Sequence, residues 1–418
     1  MKKLRRKMRF SLLTRKWLFT VLIVFVFIFG RQLPIFTVGL DSKIRQGASS
    51  LSFMQNLASV SGMQLSKLSV FSLGLSPWMS SVIIWRLLTL FKLLRLDRLT
   101  GVKSAFYQNI LMVIIALIQS YAMTDDIEFI SHGSGLSQGV LRLVTILLLV
   151  TGTAVLTWLG SMNSEFGIGG YIIVMLVNMI LSMVNLMLGF ITMLAPNALH
   201  IMLAIVIFML VSMGIIWLTV LMYRGQYRIP LRSVSIHNDF LEETYLPISI
   251  NPAGGMPAMY GMTLLTLPVM IFQALSSAFP DNEIWQYLAT NVTTTSLLGA
   301  ILYIVLLWVL TIGFAYINID PEEVAFSLRK SGTYIDGVYP GLETERYLRK
   351  IVSFFAKLGG VFICLVCGVP FLIGVLFPSY YAISSLFSYI FIISSLMFTV
   401  IEQVATLKIA KQYKGVLD

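Results

Sequence analysis

Charge is what this 418-residue sequence has least of. Asp, Glu, Lys and Arg make up 12% of it, against 57% hydrophobic residues, whereas a soluble domain carries about a quarter charged residues. A mean hydropathy of +0.85 excludes an ordinary water-soluble globule and places the chain in a bilayer. Acids are scarcest inside the apolar runs, where only Glu402 falls, near one end of the last run. Ion-coupled carriers place ionisable groups near the bilayer midplane to bind the coupling ion. A proton- or sodium-coupled transporter would therefore lack the groups it needs. The sequence favours a passive conduit or a scaffold whose energy comes from elsewhere.

Side chains for catalysis or metal binding are also few. The three histidines, His132, His200 and His237, fall in separate loops or span ends, so spacing assembles neither a metal cluster nor a His-based triad. Cys364 and Cys367 are the two cysteines, and they form a CxxC inside an apolar run. At i,i+3 on an apolar helix they read as small packing residues, not a redox pair. The run Gly167-Ile168-Gly169-Gly170 lacks the strand–turn–helix context and the Lys of a phosphate-binding loop. Asn291-Val292-Thr293 matches a glycosylation sequon, a pattern that often arises by chance. The reading is of a protein that is no enzyme and uses no cofactor and no metal.

What the chain has in quantity is apolar runs of membrane-crossing length. They cover residues 17–36, 75–91, 106–124, 140–160, 170–188, 201–223, 256–276, 296–318, 351–376 and 382–404. A helix of roughly 20 residues spans a bilayer, and 75–91 is at the lower limit. Periodicity adds little, because these helices are apolar on every face. Lys2, Lys3, Arg5, Arg6, Lys7 and Arg9 precede the first run, as in a signal peptide. No small-residue cleavage site follows, so it is read as a retained first helix.

Basic residues set the orientation. Residues 1–16 hold eight Lys and Arg, 92–104 four, 224–255 three, 319–350 five and the tail from Lys408 three. The intervening connections hold four in 31–74 and none in 125–138, 189–200, 277–295 or 377–381. This asymmetry puts both termini in the cytoplasm. It also accounts for most of the +11 net charge, which needs no nucleic acid to explain it. The inner connections 224–255 and 319–350 are long for a compact protein, and connections of that length are usually functional. Their basic residues either only hold the topology or also dock an acidic partner.

Several local sequences then carry a resemblance. Ser69 to Ile84 reads SVFSLGLSPWMSSVII, and Trp158-Leu159-Gly160 is followed by EFGIGG from Glu165 to Gly170. Gln226 to Pro230 reads QYRIP, and Tyr245 to Gly254 reads YLPISINPAG. Pro321 to Ala325 reads PEEVA, then come Lys330-Ser331-Gly332 and Tyr339-Pro340-Gly341. In this order, from about residue 10 to 413, they resemble the SecY family, the channel subunit of the protein translocon. There are departures. Leu231 to Asn238 lacks the family's basic run, and Tyr339 stands where an Arg is usual. With its trimmed loops the chain is most like the family's accessory branch of Gram-positive bacteria, which works with its own SecA-type motor and exports serine-rich glycoprotein adhesins.

The resemblance implies an all-α integral membrane protein of ten transmembrane helices. Two pseudo-symmetric five-helix halves, 1–195 and 196–418, would form an hourglass channel with a plug helix at about 48–66. Gly74 with Pro77, and Gly255 with Pro257, open the second and seventh spans alike, in keeping with inverted repeats. It also implies an apolar pore ring of Met79, Ile83, Leu176, Ile180, Met259 and Ile392. Each i,i+4 pair would share a helix face, and an apolar constriction excludes ions by dewetting. The lateral gate would lie between the second and third spans and the seventh and eighth, held by Ser80, Ser81 and Thr263. Motor docking falls on Arg224, Arg228, Arg232, Arg329, Lys330, Arg346, Arg349 and Lys350. Implied partners are a SecA-type ATPase, small SecE/SecG-like membrane subunits, the preprotein and membrane lipids, with no nucleic acid bound directly. A small-solute transporter and a pore-less insertase or scaffold are the alternatives.

Overall fold

The computed structural model describes residues 12–35, 69–90, 100–125, 137–193, 198–233, 244–279, 282–292, 296–377 and 381–417. The expected plug, 48–66, lies outside the described residues. Seven of the described helices are long and apolar enough to cross a membrane by length and composition, and Gly170–Val184 is a shorter apolar helix. The second and seventh expected spans fall on α2 (Ser76–Leu90) and α7 (Met256–Ala278). The chain divides into two compact units, one of Met1–Leu188, Met262–Ser296 and Leu396–Asp418, the other of Gly189–Gly261 and Leu297–Ser395.

The first unit is built on α1 (Leu12–Arg31), α2, α3 (Gly101–Asp125), α4 (Gln138–Phe166) and most of α5 (Gly170–Met193). It also holds the later part of α7 and the short α8 (Glu283–Asn291). Helix α1 ends at Arg31, five residues before the expected end of the first span. Pro34 follows, and a proline pushes its predecessor out of the helical region. Helices α2, α3 and α4 pack in succession, and α1 lies on α4. Trp85 Nε1 of α2 donates to Ser104 Oγ of α3 at 2.8 Å. The unit's core gathers Ile35, Leu73, Ala116, Met123 and Leu149. Gly152 of α4 is obligatory there, because a Cβ would stand 1.9 Å from the Val70 carbonyl oxygen.

The second unit contains α6 (Ala198–Arg224), α9 (Leu297–Asn318), α10 (Pro321–Ser331), α11 (Leu342–Ile363), α12 (Val369–Leu376) and the start of α13 (Tyr381–Leu417). Helix α6 is apolar on all sides, with Met202, Met209, Met213 and Trp217 exposed. That is the pattern of a helix facing lipid rather than a protein core. Glycines 359 and 360 let α11 close on its neighbours, since Cβ atoms there would stand 2.7 Å from Asn251 Oδ1 and 3.0 Å from the Trp308 ring. Between α11 and α12 the backbone widens into a π-helix, Cys364–Gly368. Pro370 has no amide to give, so the regular ladder fails here. The Val369 amide reaches Cys364 O instead, and Ser388 Oγ of α13 donates to Cys367 O at 3.4 Å. Cys367 is fully buried, in keeping with a packing role.

The two long connections, 224–255 and 319–350, differ most from expectation, because their described residues are folded rather than looped. Strands β1 (Gln226–Ser233), β2 (Tyr245–Ser249) and β3 (Thr333–Ile335) form an antiparallel sheet in the order β2-β1-β3. Gln226 faces Ser249 and Pro230 faces Tyr245, while Leu231 faces Ile335. Pro247 sits on the edge strand, where its missing amide is tolerated. Helix α10 is specified locally. Asp320 caps it by accepting from Glu322 N, Pro321 opens it, Glu322 and Glu323 fill its first turn and Arg329 and Lys330 its last. Gly332 ends it in the left-handed region, as caps and the helix dipole favour. Ile229, Ile248, Ala325, Ile335 and Leu348 form a core under this layer. Leu348 belongs to α11, so this helix starts nine residues before the expected start of the ninth span and runs out of the platform as one helix. An all-α reading therefore omits a small sheet.

Candidate functional site

Helices α2 and α5, the expected second and fifth spans, meet through aromatic rings. Trp78 of α2 stacks on Tyr171 of α5 with centroids 4.0 Å apart and planes at 17°. Tyr171 fits because Gly160 leaves room, a Cβ there standing 2.2 Å from its ring. Of the ring residues in this unit, Met79, Ile83 and Leu176 are buried, whereas Ile180 is 49% exposed. In the second unit Met259 and Ile392 are both buried.

Of the residues expected at the gate, Thr263 meets α2. Its hydroxyl donates to Met79 Sδ at 3.9 Å, a long contact to a weak acceptor. Ser81 Oγ donates to Trp78 O of its own helix at 2.8 Å. Ser80 Oγ and Ser76 Oγ are buried and have no hydrogen-bond partner among the described residues. Ser76, Met79, Ser80 and Ile83 share one face of α2 at helical spacing, so that face alternates apolar bulk with unsatisfied hydroxyls.

The expected docking residues lie on the folded platform or beside it. Arg228 covers the Tyr245 ring at 4.6 Å, and Arg329 lies 5.5 Å from the Phe326 ring centre. Arg232 pairs with Asp336 at 3.0 Å, and Arg349 with Glu345 at 2.6 Å. Arg224, Lys330, Arg346 and Lys350 are exposed. Exposed ion pairs contribute about 0–1 kcal/mol, so a partner's carboxylates can compete for these cations.

Three polar constellations escaped the sequence reading. Arg31, within the expected first span, donates to Asn178 Oδ1 of α5 at 2.6 Å. Asn178 lies between Leu176 and Ile180 in sequence, so it points to the other side of α5 from both. At the α4–α5 turn, Asn163 donates to Ile168 O at 3.0 Å and Gly170 O at 2.9 Å and accepts from Thr20 Oγ1 at 3.0 Å. Gly169 N donates to Gln403 Oε1 at 2.7 Å, and Lys16 Nζ reaches Glu165 O at 3.3 Å. Gly169 and Gly170 have φ of 75° and 50°, which explains the glycine-rich run without any phosphate. In the second unit, Asn318 Nδ2 donates to Pro252 O at 2.9 Å. Among the described residues no group of three or more His, Cys, Asp or Glu could hold a metal ion.

Comparison with known proteins supplies the family. The SecY family model matches residues 69–407, well over half of the chain. An accessory Sec system protein translocase subunit SecY2 from Streptococcus parasanguinis is 40% identical over 421 residues, covering all of both chains. A protein of the same name from Leuconostoc gelidum is 34% identical and covers 97% of each. Among solved structures, a protein-conducting channel superimposes with a TM-score of 0.67 at 15% identity, covering 95% of this chain and 93% of that one. By a family match across most of its spans and a relative aligned from end to end, this chain belongs to the SecY family and is similar to its accessory subunits.

Proposed function

We propose that the chain is the protein-conducting channel of an accessory Sec translocon in the cell membrane. The observation that carries this is the end-to-end similarity to accessory translocase subunits, 40% identical with no part of either chain left over. Ten spans cross the membrane when α2, α5 and α7 join the seven long helices, in two halves of 1–195 and 196–418. Both termini face the cytoplasm, as the basic residues of the inner connections require. Unfolded preproteins, serine-rich glycoprotein adhesins among them, pass a waist formed by Met79, Ile83, Leu176, Ile180, Met259 and Ile392. The segment 48–66 closes the outer funnel of an hourglass. A backbone bridge between Pro34 and Ser69 supports this, since the ends of that excursion are held together at one neck.

The second and third spans part from the seventh and eighth to admit a signal sequence to lipid, and Ser80, Ser81 and Thr263 lie along that seam. The folded platform, with Arg224, Arg228, Arg232, Arg329, Lys330, Arg346, Arg349 and Lys350, receives a SecA-type ATPase. Small SecE/SecG-like subunits complete the assembly. The scarcity of intramembrane acids supports a conduit over a coupled carrier. The test is reconstitution of the chain with its motor and small subunits in vesicles. Addition of ATP is expected to render a labelled preprotein resistant to external protease, and continued full digestion would reject the reading.

A further inference from the structure

The seventh span begins in a knot of hydrogen bonds. Tyr223, next to last in α6, places its hydroxyl 2.9 Å from the Gly255 amide and 2.7 Å from Ser395 Oγ of α13. Gly255 immediately precedes α7, where the leading amides of a helix have no partner within it. The phenol accepts from that amide and shares a second hydrogen bond with the serine hydroxyl, so one group serves three segments. Around it the turn is held on every side. Asn251 Nδ2 donates to Gly254 O at 3.1 Å, and Asn318 holds the Pro252 carbonyl. Both glycines are demanded by this fit. Gly254 has φ of 64°, with Tyr223 Oη 2.8 Å from where its Cβ would be, and a Cβ on Gly255 would stand 1.7 Å from Ser395 Oγ.

We infer that Tyr223 is a positioning residue for the seventh span, its hydroxyl fixing where that helix starts and therefore how it is presented to the second span. The inference rests on the reading of the seventh span as one side of the gate. Eight residues beyond Gly255 along the chain, Thr263 makes the Met79 contact, so a helix released at its start carries that contact with it. Tyr223→Phe keeps the ring and removes only the hydroxyl, leaving a buried amide unpaired.

The test uses the full chain in vesicles without motor or preprotein, in a Cys364→Ser/Cys367→Ser background. Met79→Cys with Thr263→Cys reports the seam through the rate of bridging by a short bifunctional thiol reagent. Trp85→Cys with Ser104→Cys, between α2 and α3, reports general loosening. Tyr223→Phe is expected to slow the seam reaction about tenfold, the effect of losing a buried hydrogen bond, and to leave the control pair within twofold. Ser395→Ala, which keeps the Tyr223–Gly255 bond, should slow it less, and the double variant no more than Tyr223→Phe alone. A seam rate that is unchanged or faster in Tyr223→Phe, or an equal fall in the control pair, overturns the inference. Because no transport is measured, these outcomes are separate from failure of the channel reading.

Discussion

Removal of the Asn163 side chain tests how much the buried polar turn contributes. Asn163 is fully buried and makes three side-chain hydrogen bonds, two to the carbonyls of Ile168 and Gly170 and one from Thr20. Measured hydrogen bonds between membrane helices average about 0.6 kcal/mol, which sets a lower bound near 2 kcal/mol for the set. An orphaned buried carbonyl costs about 1–3 kcal/mol, and Asn163→Ala orphans two. The second effect dominates because the site is sealed, so the expected loss is about 3–4 kcal/mol. In a chain of this size that lowers the unfolding midpoint by about 3–6 °C. Loss of helical circular dichroism on heating in detergent reads it. Asn109→Ala, at an exposed position of α3, should move the midpoint by less than about 1 °C. Thr20→Val with Asn163→Ala should cost less than the sum of the two, because they share one bond. Equal midpoints for Asn163→Ala and Asn109→Ala would refute the reasoning.

Other outcomes follow from single contacts. Gly152→Val forces its Cβ onto the Val70 carbonyl and should cost more than about 2 kcal/mol, read as a lower midpoint, whereas Gly313→Ala, with nothing within 4 Å, should be neutral. Asp320→Ala removes the cap of α10 and should cost about 1 kcal/mol, with hydrogen exchange faster over 321–331 than over 342–363. Replacing Lys330, Arg346 and Lys350 together by Gln should weaken binding of the motor at low salt and flatten its salt dependence. Unchanged binding would leave topology as their only role.

The membrane class was legible in the sequence because hydropathy is a sum over many residues, and most span boundaries fell within a few residues of the helices. The platform was not, because its information is non-local. Leu231 meets Ile335 across a hundred residues, and strands of three to eight residues leave little periodic signal in a polar stretch. The helix α10 within it could have been read from Asp320, Pro321 and Gly332 alone. Arg31 was present in the first apolar run, but nothing in the sequence pointed to Asn178 as its partner. Tyr223 escaped for a different reason. A tyrosine at a span end is ordinary at a membrane interface, and only Ser395 and Gly255 give its hydroxyl a role. The ring residues came from resemblance, since burial does not separate Met79 from any other packed methionine.

The central claim is that a polypeptide passes through this chain, and a stalled translocation intermediate tests it most directly. A photoreactive amino acid is placed at Met79, Ile83 or Met259, or at Ile207 of α6, which is 52% exposed. A preprotein arrested midway by a folded C-terminal domain should crosslink from the first three positions and not from the last. Crosslinks from Ile207 alone, or equal yields from all four, would contradict the account.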